Sequence, residues 1–417
     1  MVLASWAPSS KGCLAAIWAA LWMAIALAGC GGGGGASIPP FDLAFSIAVA
    51  DLNNDGSLDL AVAAAHVAGA PPHPGFCSVI LQQPSAPGTF AGPTHFAAGS
   101  DSISIAAADL NADGKQDLVI GNNTSANISI LIQDPGNPGE FLPAVNLITG
   151  AHPSGPAGIA IGDLNGDGLP DIAVAGANDR LSIFFQDPSG PPGSFLPQSS
   201  LALGQFSEAV ALGDINGDGK LDIVAATSSD TAPGRISVLL QDPINPGTFL
   251  PATNFGAGAQ PSSVKIADLN DDGLPDLAVA NYGPPSDTTK ASVSVLLQDP
   301  ANEGSFLPAT NYRTGVASTD VAIGDLNGDG KPDLAVANDG SLSIPGSVSV
   351  LLQDPATPGA FLPRVNYAGV MPFSVAIGDL NGDGLPDIAV ADGENATIMF
   401  QKPGAPGSFF SAAKVGL

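Results

Sequence analysis

Residues 163–171 read DLNGDGLPD. Numbered from its first residue, this segment has Asp at positions 1, 5 and 9, Asn at position 3 and Gly at position 6. Three carboxylates within nine residues repel one another unless something positive lies between them. The glycine permits a sharp backbone turn. We therefore expect a tight loop built around oxygen atoms.

The same pattern occurs seven times in the 417-residue chain. Its copies begin at Asp51, Asp109, Asp163, Asp214, Asp268, Asp325 and Asp379. Their spacing, 51 to 58 residues, is that of a structural repeat in which each unit stacks on its neighbours.

Each repeat contains four short runs rich in β-branched and apolar residues, separated by turn residues. In the last repeat the predicted strands are 374–380, 387–391, 396–401 and 408–413. Such runs are typical of β-strands, and outside the first thirty residues no segment has the periodicity of an amphipathic helix. The third run usually ends in Gln-Asp-Pro, which predicts a turn with structural aspartates. These are Asp134, Asp187, Asp242, Asp299 and Asp354.

Four antiparallel strands repeated seven times predict an all-β fold, a seven-bladed β-propeller over residues 42–417. A linear solenoid is the alternative, but it needs capping repeats that a closed ring does not. The first repeat opens with a first strand and the last closes with a fourth strand. We therefore expect the ring to close by side-chain packing between blades 1 and 7.

The loop between the first and second strands of each blade is a candidate metal site. Hard oxygen ligands at alternate positions of a turning loop suit Ca²⁺ better than Mg²⁺, which requires stricter geometry. The loop is not an EF-hand, because position 12 of the first copy is Val62 within a strand. Up to seven Ca²⁺ ions are expected, with position 7 offering a backbone carbonyl. The predicted side-chain ligands are Asp51, Asn53, Asp55, Asp59; Asp109, Asn111, Asp113, Asp117; Asp163, Asn165, Asp167, Asp171; Asp214, Asn216, Asp218, Asp222; Asp268, Asn270, Asp272, Asp276; Asp325, Asn327, Asp329, Asp333; Asp379, Asn381, Asp383 and Asp387.

Seven Asp-x-Asn-x-Asp-Gly-x-x-Asp loops in repeats of about fifty residues resemble the FG-GAP/VCBS repeats of the integrin α-chain propeller. The resemblance covers most of the chain and implies the propeller fold and calcium in the loops. It departs from the family in two respects. The Phe-Gly and Gly-Ala-Pro signatures are poorly kept, and all seven loops are intact where integrin chains carry fewer. Ligand recognition of the integrin type is therefore not implied.

The net charge of −27 comes largely from these loops, which hold 21 of the 39 acidic residues. Bound Ca²⁺ would neutralise much of it. Acidic turns that only maintain solubility are the alternative, but solubility does not require fixed positions. Nucleic acid is not an expected partner of so acidic a chain.

Residues 1–29 are predicted to be a lipoprotein signal peptide, with Lys11 followed by an uncharged apolar run. Leu27-Ala28-Gly29-Cys30 resembles a lipobox, so Cys30 is the predicted lipidation site. An uncut membrane anchor is the alternative reading. Residues 30–41 read as a Gly/Pro-rich tether. The protein is thus expected to be exported and lipid-anchored to a bacterial membrane or cell surface.

No catalytic motif is recognised in the sequence. The four histidines, His66, His73, His95 and His152, are interpreted as solvated or structural, and Cys77 as a small buried hydrophobe. The favoured function is a monomeric binding or adhesion scaffold. A lectin is one alternative, although the predicted mature chain has no Trp and only Tyr282, Tyr312 and Tyr367 to stack on sugars. A polysaccharide-active enzyme is the second alternative.

The metal loops mark one face of the predicted propeller, and the other face carries connections of variable length. We expect a protein or glycan partner to contact that second face. The candidate segments are 67–76, 281–291 and 338–346, together with Tyr312 and Arg313.

Overall fold

The computed structural model describes residues 41–67, 74–150, 156–176, 179–228, 234–284, 287–341, 343–369, 371–411 and 413–417. The predicted signal peptide, Cys30 and nearly all of the tether lie outside these residues, as do His73 and His152. Among the described residues no helix has the length and apolar character needed to cross a membrane.

The described residues form seven four-stranded antiparallel sheets, and within each sheet the strands are ordered as in the sequence. Blade 1 comprises β1 Phe41–Ala50, β2 Asp59–Val67, β3 Pro74–Ile80 and β4 Thr94–Ser100. Blade 2 comprises β5 Ser102–Ala108, β6 Asp117–Asn122, β7 Asn127–Leu131 and β8 Val145–Ile148. Blade 3 comprises β9 Pro156–Gly162, β10 Asp171–Gly176, β11 Arg180–Phe184 and β12 Ser199–Ala202. Blade 4 comprises β13 Phe206–Gly213, β14 Asp222–Ser228, β15 Arg235–Leu239 and β16 Thr253–Gly256.

The last three blades repeat this order. Blade 5 comprises β17 Pro261–Ala267, β18 Asp276–Asn281, β19 Ser292–Leu296 and β20 Thr310–Arg313, with a 3₁₀ turn at Thr288–Lys290 before β19. Blade 6 comprises β21 Ser318–Gly324, β22 Asp333–Asn338, β23 Ser347–Leu351 and β24 Val365–Ala368. Blade 7 comprises β25 Ser374–Gly378, β26 Asp387–Ala391, β27 Asn395–Met399 and β28 Ala413–Gly416. The seven-bladed propeller predicted from the repeat is confirmed.

The fourth strand was predicted at 408–413 in the last blade, and this position was wrong, because β28 begins at Ala413. Residues 408–411 do not form a strand, and Phe409 makes a single bridge to Gln401. The side chain of Phe409 is 2% exposed and lies edge-on to Tyr367 of blade 6, with ring centroids 5.5 Å apart. Phe409, which looks like a strand residue in the sequence, therefore serves packing between blades.

The hydrophobic core lies between blades, not within one. A typical cluster joins Val119 and Ile130 of blade 2 to Ile172 and Val174 of blade 3, and each of these side chains is at most 2% exposed. Because each blade buries its faces against two neighbours, the fold needs the complete ring.

The ring closes between blade 1 and blade 7 without a shared sheet, as expected. Apolar side chains of both blades form one cluster, including Ile47, Leu60 and Ile398. The structure adds one backbone hydrogen bond, donated by Ala44 N to Gly393 O at 2.9 Å. Packing and this bond hold the two chain ends together.

In each of blades 2 to 7, a glutamine after the third strand donates a hydrogen bond to a backbone carbonyl of the preceding blade. In blade 5, Gln298 Nε2 donates to Ile215 O of blade 4 at 2.9 Å and to Pro275 O of its own blade at 3.1 Å. The equivalent glutamines bind Leu52, Leu110, Leu164, Leu269 and Leu326. In blade 1, Gln82 Nε2 donates to Leu58 O of its own blade at 3.0 Å and, within the described residues, makes no bond to blade 7.

We expect Gln298→Leu to lower the free energy of unfolding by about 1 to 3 kcal/mol, because it leaves buried carbonyl groups without a donor. Gln82→Leu is the matched control and should cost less, since no bond to the preceding blade is lost. Urea unfolding of both variants measures the difference. Equal losses would show that the bond between blades adds nothing.

Candidate functional site

The seven acidic loops join the first and second strands, and each has eight residues between them. The side chain at position 2 is a leucine or isoleucine that is fully buried in every blade, for example Leu164 and Ile215. This apolar residue fixes the start of the loop in the core, so the oxygen-bearing residues that follow project from one face of the propeller.

Within the third loop the side-chain oxygens face backbone N–H groups. Asp163 Oδ2 accepts from Gly168 N at 2.8 Å, and Asn165 Oδ1 accepts from Asp167 N at 2.8 Å. Asp167 Oδ1 accepts from Leu169 N at 2.9 Å. The same bonds recur in the other loops, as in Asp51 and Asn53 of the first. The loop therefore wraps around its own side chains.

The loop backbone is left-handed at positions 4 and 6 in all seven copies. Position 6 is always glycine, with φ near 80°, for example 85° at Gly168. Position 4 is glycine in four copies and Asn54, Ala112 and Asp271 in the others, with φ of 58° to 60°. Asn and Asp tolerate this region, but alanine is strained there.

Replacing Ala112 with glycine should therefore raise the free energy of unfolding by about 0.5 to 1 kcal/mol, because it removes the left-handed strain. Differential scanning calorimetry would record this as a higher melting temperature. Ala301→Gly, in an exposed turn without positive φ, is the control and should bring no gain. A gain in both variants would contradict the strain argument.

The aspartate at position 9 has a role that the sequence did not reveal. In the third blade Asp171 is fully buried; its Oδ2 accepts from Leu164 N at 2.9 Å and its Oδ1 from Gln186 N at 2.8 Å. One carboxylate thus ties the loop to the end of the third strand. The equivalent pairs of bonds are present in all seven blades.

Burial raises the pKa of Asp171 to about 6, the two backbone donors lower it, and the negative charges of Asp167 and Asp163 raise it further. The same causes raise the pKa to about 6 at Asp59, Asp117, Asp276 and Asp387 and to about 7 at Asp333. The pKa of Asp222 is raised for similar reasons.

These shifts predict how the metal-free protein responds to pH. A carboxyl group whose pKa is higher in the folded state than its unfolded value of 3.8 stabilises the fold when protonated. That contribution is lost as the pH rises through about 6. Melting temperatures in EDTA should therefore fall between pH 5 and pH 7, and the fall should be smaller in Asp171→Asn. A melting temperature that rises with pH in EDTA would contradict this.

The donor set of each loop suits a hard cation by its chemistry, with three carboxylates, one amide oxygen and backbone carbonyls. In the described part of the chain, however, no three His, Cys, Asp or Glu side chains are close enough together to share one ion. The loop carboxylates instead satisfy backbone donors. Since a carboxylate oxygen can accept a hydrogen bond and also bind a cation, the two roles are compatible.

Three loops are also tied to the neighbouring turn by a lysine at position 7. Lys115, Lys220 and Lys331 donate from Nζ to the carbonyl of the proline in the Gln-Asp-Pro turn, at 2.9 to 3.3 Å. The aspartates of those turns accept nearby backbone N–H groups, as in Asp134 from Gly136 at 2.8 Å. The structural role predicted for the five turn aspartates is confirmed.

The other candidate residues belong to packing or to local contacts. Cys77 is free and fully buried, and burial raises the pKa of its thiol to about 12, so its interpretation as a small hydrophobe is confirmed. His66 Nδ1 lies 2.7 Å from Asp42 Oδ1, and His95 Nδ1 lies 3.0 Å from Ser78 Oγ. Tyr312 lies edge-on to Phe361 at 5.6 Å, whereas Arg313 is exposed.

Comparison with known proteins agrees with this architecture. Parts of the chain resemble integrin alpha-IIb of Homo sapiens, 29% identical over 209 residues, which are 40% of this chain and 19% of the integrin. The Mus musculus protein is 28% identical over 179 residues, 34% of this chain and 17% of the integrin. The matched segments are thus about a fifth of the length of these relatives.

Two solved structures also align with the propeller. The exotype rhamnogalacturonan lyase YesX aligns over 86% of this chain and 72% of the lyase, with a TM-score of 0.49 and 14% identity. A Bacillus licheniformis rhamnogalacturonan lyase aligns over the same shares, with a TM-score of 0.47 and 12% identity. These values are too low to bear on the chemistry of this chain.

The FG-GAP-like repeat model matches five overlapping segments, 109–174, 163–225, 214–279, 268–336 and 325–390. Each segment begins at position 1 of one acidic loop and extends beyond the next loop. Together they cover more than half of the sequence, and the chain therefore belongs to the FG-GAP-like repeat family.

Proposed function

We propose that this protein is a calcium-stabilised, surface-anchored, extracytoplasmic propeller that acts as a binding or adhesion scaffold and not as an enzyme. The observation that supports the proposal is that the seven loops are alike. All have the same length, the same oxygen donors and the same backbone conformation, and all lie on one face. A turn that served only solubility would not need this uniformity.

The ligands would be the side chains at positions 1, 3, 5 and 9 with the carbonyl at position 7. A bound Ca²⁺ would supply positive charge among the three carboxylates. The protein's own contribution is the position 9 aspartate, which already connects the loop to the third strand in the third blade through Leu164 and Gln186. Binding at one loop would therefore stabilise most of a blade.

The partner is proposed to contact the face opposite the loops. Connections there differ between blades, whereas the acidic loops do not. Basic residues also lie at that face in three consecutive blades, with Arg180 and Arg235 at the start of third strands and Arg313 at the end of a fourth strand. A protein or glycan with acidic groups would complement them.

The two alternative functions receive less support from the geometry. A sugar-binding lectin would use exposed aromatic faces, but Tyr282 is 8% exposed and Tyr312 and Tyr367 pack against the next blade. A glycosidic-bond-cleaving enzyme would use a free pair of carboxylates. Asp320, in the first strand of blade 6, instead accepts hydrogen bonds from Ser263 Oγ and Ser374 Oγ, at 2.7 and 2.9 Å.

The experiment that tests the proposal is a count of bound metal. The purified propeller, equilibrated with calcium and then desalted, should retain calcium in a ratio approaching seven per chain. Asp167→Asn, which changes one exposed ligand and keeps its size, should lower the ratio by about one. A protein that retains no calcium, or a variant that retains as much as the wild type, would refute calcium binding in these loops.

Membrane attachment is tested separately. In bacterial cells Cys30→Ala should move the protein from the membrane fraction to the soluble fraction, since the lipid-bearing cysteine is lost. An unchanged membrane fraction would favour an uncut membrane anchor over lipidation.

A further inference from the structure

The first strands of the seven blades surround a central cavity of about 590 Å³. Residues that precede position 1 of their loop by the same number of positions form one layer across the cavity. The layer five residues before position 1 contains small or polar residues: Ser46, Ser104, Gly158, Ala209, Ser263, Asp320 and Ser374. This volume is within the range of small-molecule sites.

Among the described residues, apolar side chains cover one end of the cavity, which is called the well below. Phe45, Ile103 and Phe373 line its deep end, each at most 8% exposed, and the rings of Phe45 and Phe373 lie 5.7 Å apart. They belong to an apolar cluster with Leu43 and Tyr282, which brings blade 5 into contact with blades 1, 2 and 7. By contrast, the side chains that lie two residues before position 1 of each loop are partly exposed in every blade. The well therefore opens on the face of the acidic loops.

One residue in the wall breaks the sevenfold pattern. Three residues before position 1, six blades have alanine, at positions 48, 106, 160, 211, 322 and 376, and blade 5 has Lys265. Lys265 is exposed to the cavity and makes no hydrogen bond or ion pair with any described residue. Since alanine fills the equivalent place in six blades, the fold does not require this lysine.

Among the described residues, neither carboxylate of the well forms an ion pair with Lys265. Asp320 uses Oδ1 for Ser263 Oγ, and Oδ2 for Ser374 Oγ and Val375 N. Glu208 is 5% exposed at the level of the apolar floor and does not contact the lysine ammonium.

A second polar group in the wall also has no partner. Ser104 is 6% exposed, and its hydroxyl forms no hydrogen bond within the described residues. A buried hydroxyl without a partner is costly, so such groups usually have a ligand or an ordered water. Ser104 lies in blade 2 and Lys265 in blade 5, on different sides of the well.

We propose that the well binds a small aliphatic carboxylate that carries a second polar group. Its carboxylate contacts Lys265, its apolar body lies along the aliphatic wall formed by residues such as Ile105, Val210 and Ile266, and its second polar group accepts a hydrogen bond from Ser104. This site is distinct from the partner surface proposed on the opposite face. Calcium in the loops would reduce the negative charge that an anion meets at the mouth.

Isothermal titration calorimetry with 10-hydroxydecanoate as the probe tests this proposal. In calcium buffer the wild-type protein should bind the probe at least tenfold more tightly than Lys265→Ala, a variant that restores the alanine of the other blades. Ser104→Ala should weaken binding of 10-hydroxydecanoate more than that of decanoate. Lys290→Ala, at an exposed lysine outside the cavity, should bind like the wild type.

Three outcomes would overturn the proposal. They are no detectable binding of either acid, equal affinity of the wild type and Lys265→Ala, and equal affinity for decan-1-ol, which lacks the charge. Repeating the titration in EDTA separates this proposal from calcium binding. If the well is the site, the wild type binds the probe more tightly than Lys265→Ala in both calcium and EDTA. This difference does not depend on whether the loops take up metal.

Discussion

Chelation of calcium should lower the melting temperature of this protein by at least ~10 °C. Each loop that binds an ion in the folded state contributes about 1.4 to 2.7 kcal/mol when free calcium exceeds its dissociation constant by 10- to 100-fold. Seven such contributions act on one cooperative ring, because the core lies between the blades. A change of about 1 kcal/mol in the free energy of unfolding shifts the melting temperature of a large domain by about 2 °C. The sum over the loops therefore leads us to expect a decrease of at least ~10 °C.

Scanning calorimetry from residue 41 onward, in calcium, magnesium and EDTA at equal ionic strength, would measure this effect. Magnesium is the matched control, and it should restore little of the lost stability, because its octahedral geometry and retained waters suit these loops poorly. Asp167→Asn should remove about one seventh of the calcium-dependent gain. Identical melts in the three buffers would show that the acidic loops are turns stabilised by their own backbone donors alone.

The sequence allowed the fold to be predicted because its strongest signal is periodic. A pattern that fixes Asp, Asn and Gly at five of nine positions and recurs seven times defines the repeat length. The turn residues between the apolar runs then define four strands. Individual strand ends were less predictable, since apolar residues such as Phe409 look like strand residues but pack between blades. That distinction depends on contacts with another repeat, which local sequence does not record.

Two features of the candidate site are not evident from one repeat taken alone, for a related reason. The glutamine of the Gln-Asp-Pro motif looked like part of a turn, yet Gln298 bonds to a carbonyl 83 residues earlier in the chain. Lys265 lies in a strand of otherwise ordinary composition. Alignment of the seven first strands with one another shows it as the one lysine among six alanines, a signal that a single repeat does not contain.

Replacing a position 9 aspartate should destabilise the fold more than replacing the Asp or Asn at position 1, 3 or 5 of the same loop. Asp171→Ala leaves the N–H groups of Leu164 and Gln186 buried without an acceptor, at about 1 to 3 kcal/mol each. The expected loss is therefore about 2 to 6 kcal/mol in the free energy of unfolding, measured by urea denaturation. Asp187→Ala is the control in the same blade; its carboxylate lies in an exposed turn, so its removal should cost less than about 1 kcal/mol.

Comparing this variant with Asp167→Asn in the two buffers separates the two roles of the loop. The loss in Asp171→Ala should persist in EDTA, because it arises from backbone donors that are present without metal. The loss in Asp167→Asn should appear mainly in calcium, since its side chain is exposed and bonds only within the loop. If Asp171→Ala lost stability in calcium alone, the position 9 carboxylate would act only as a metal ligand. Its bonds to Leu164 and Gln186 would then contribute nothing to the blade.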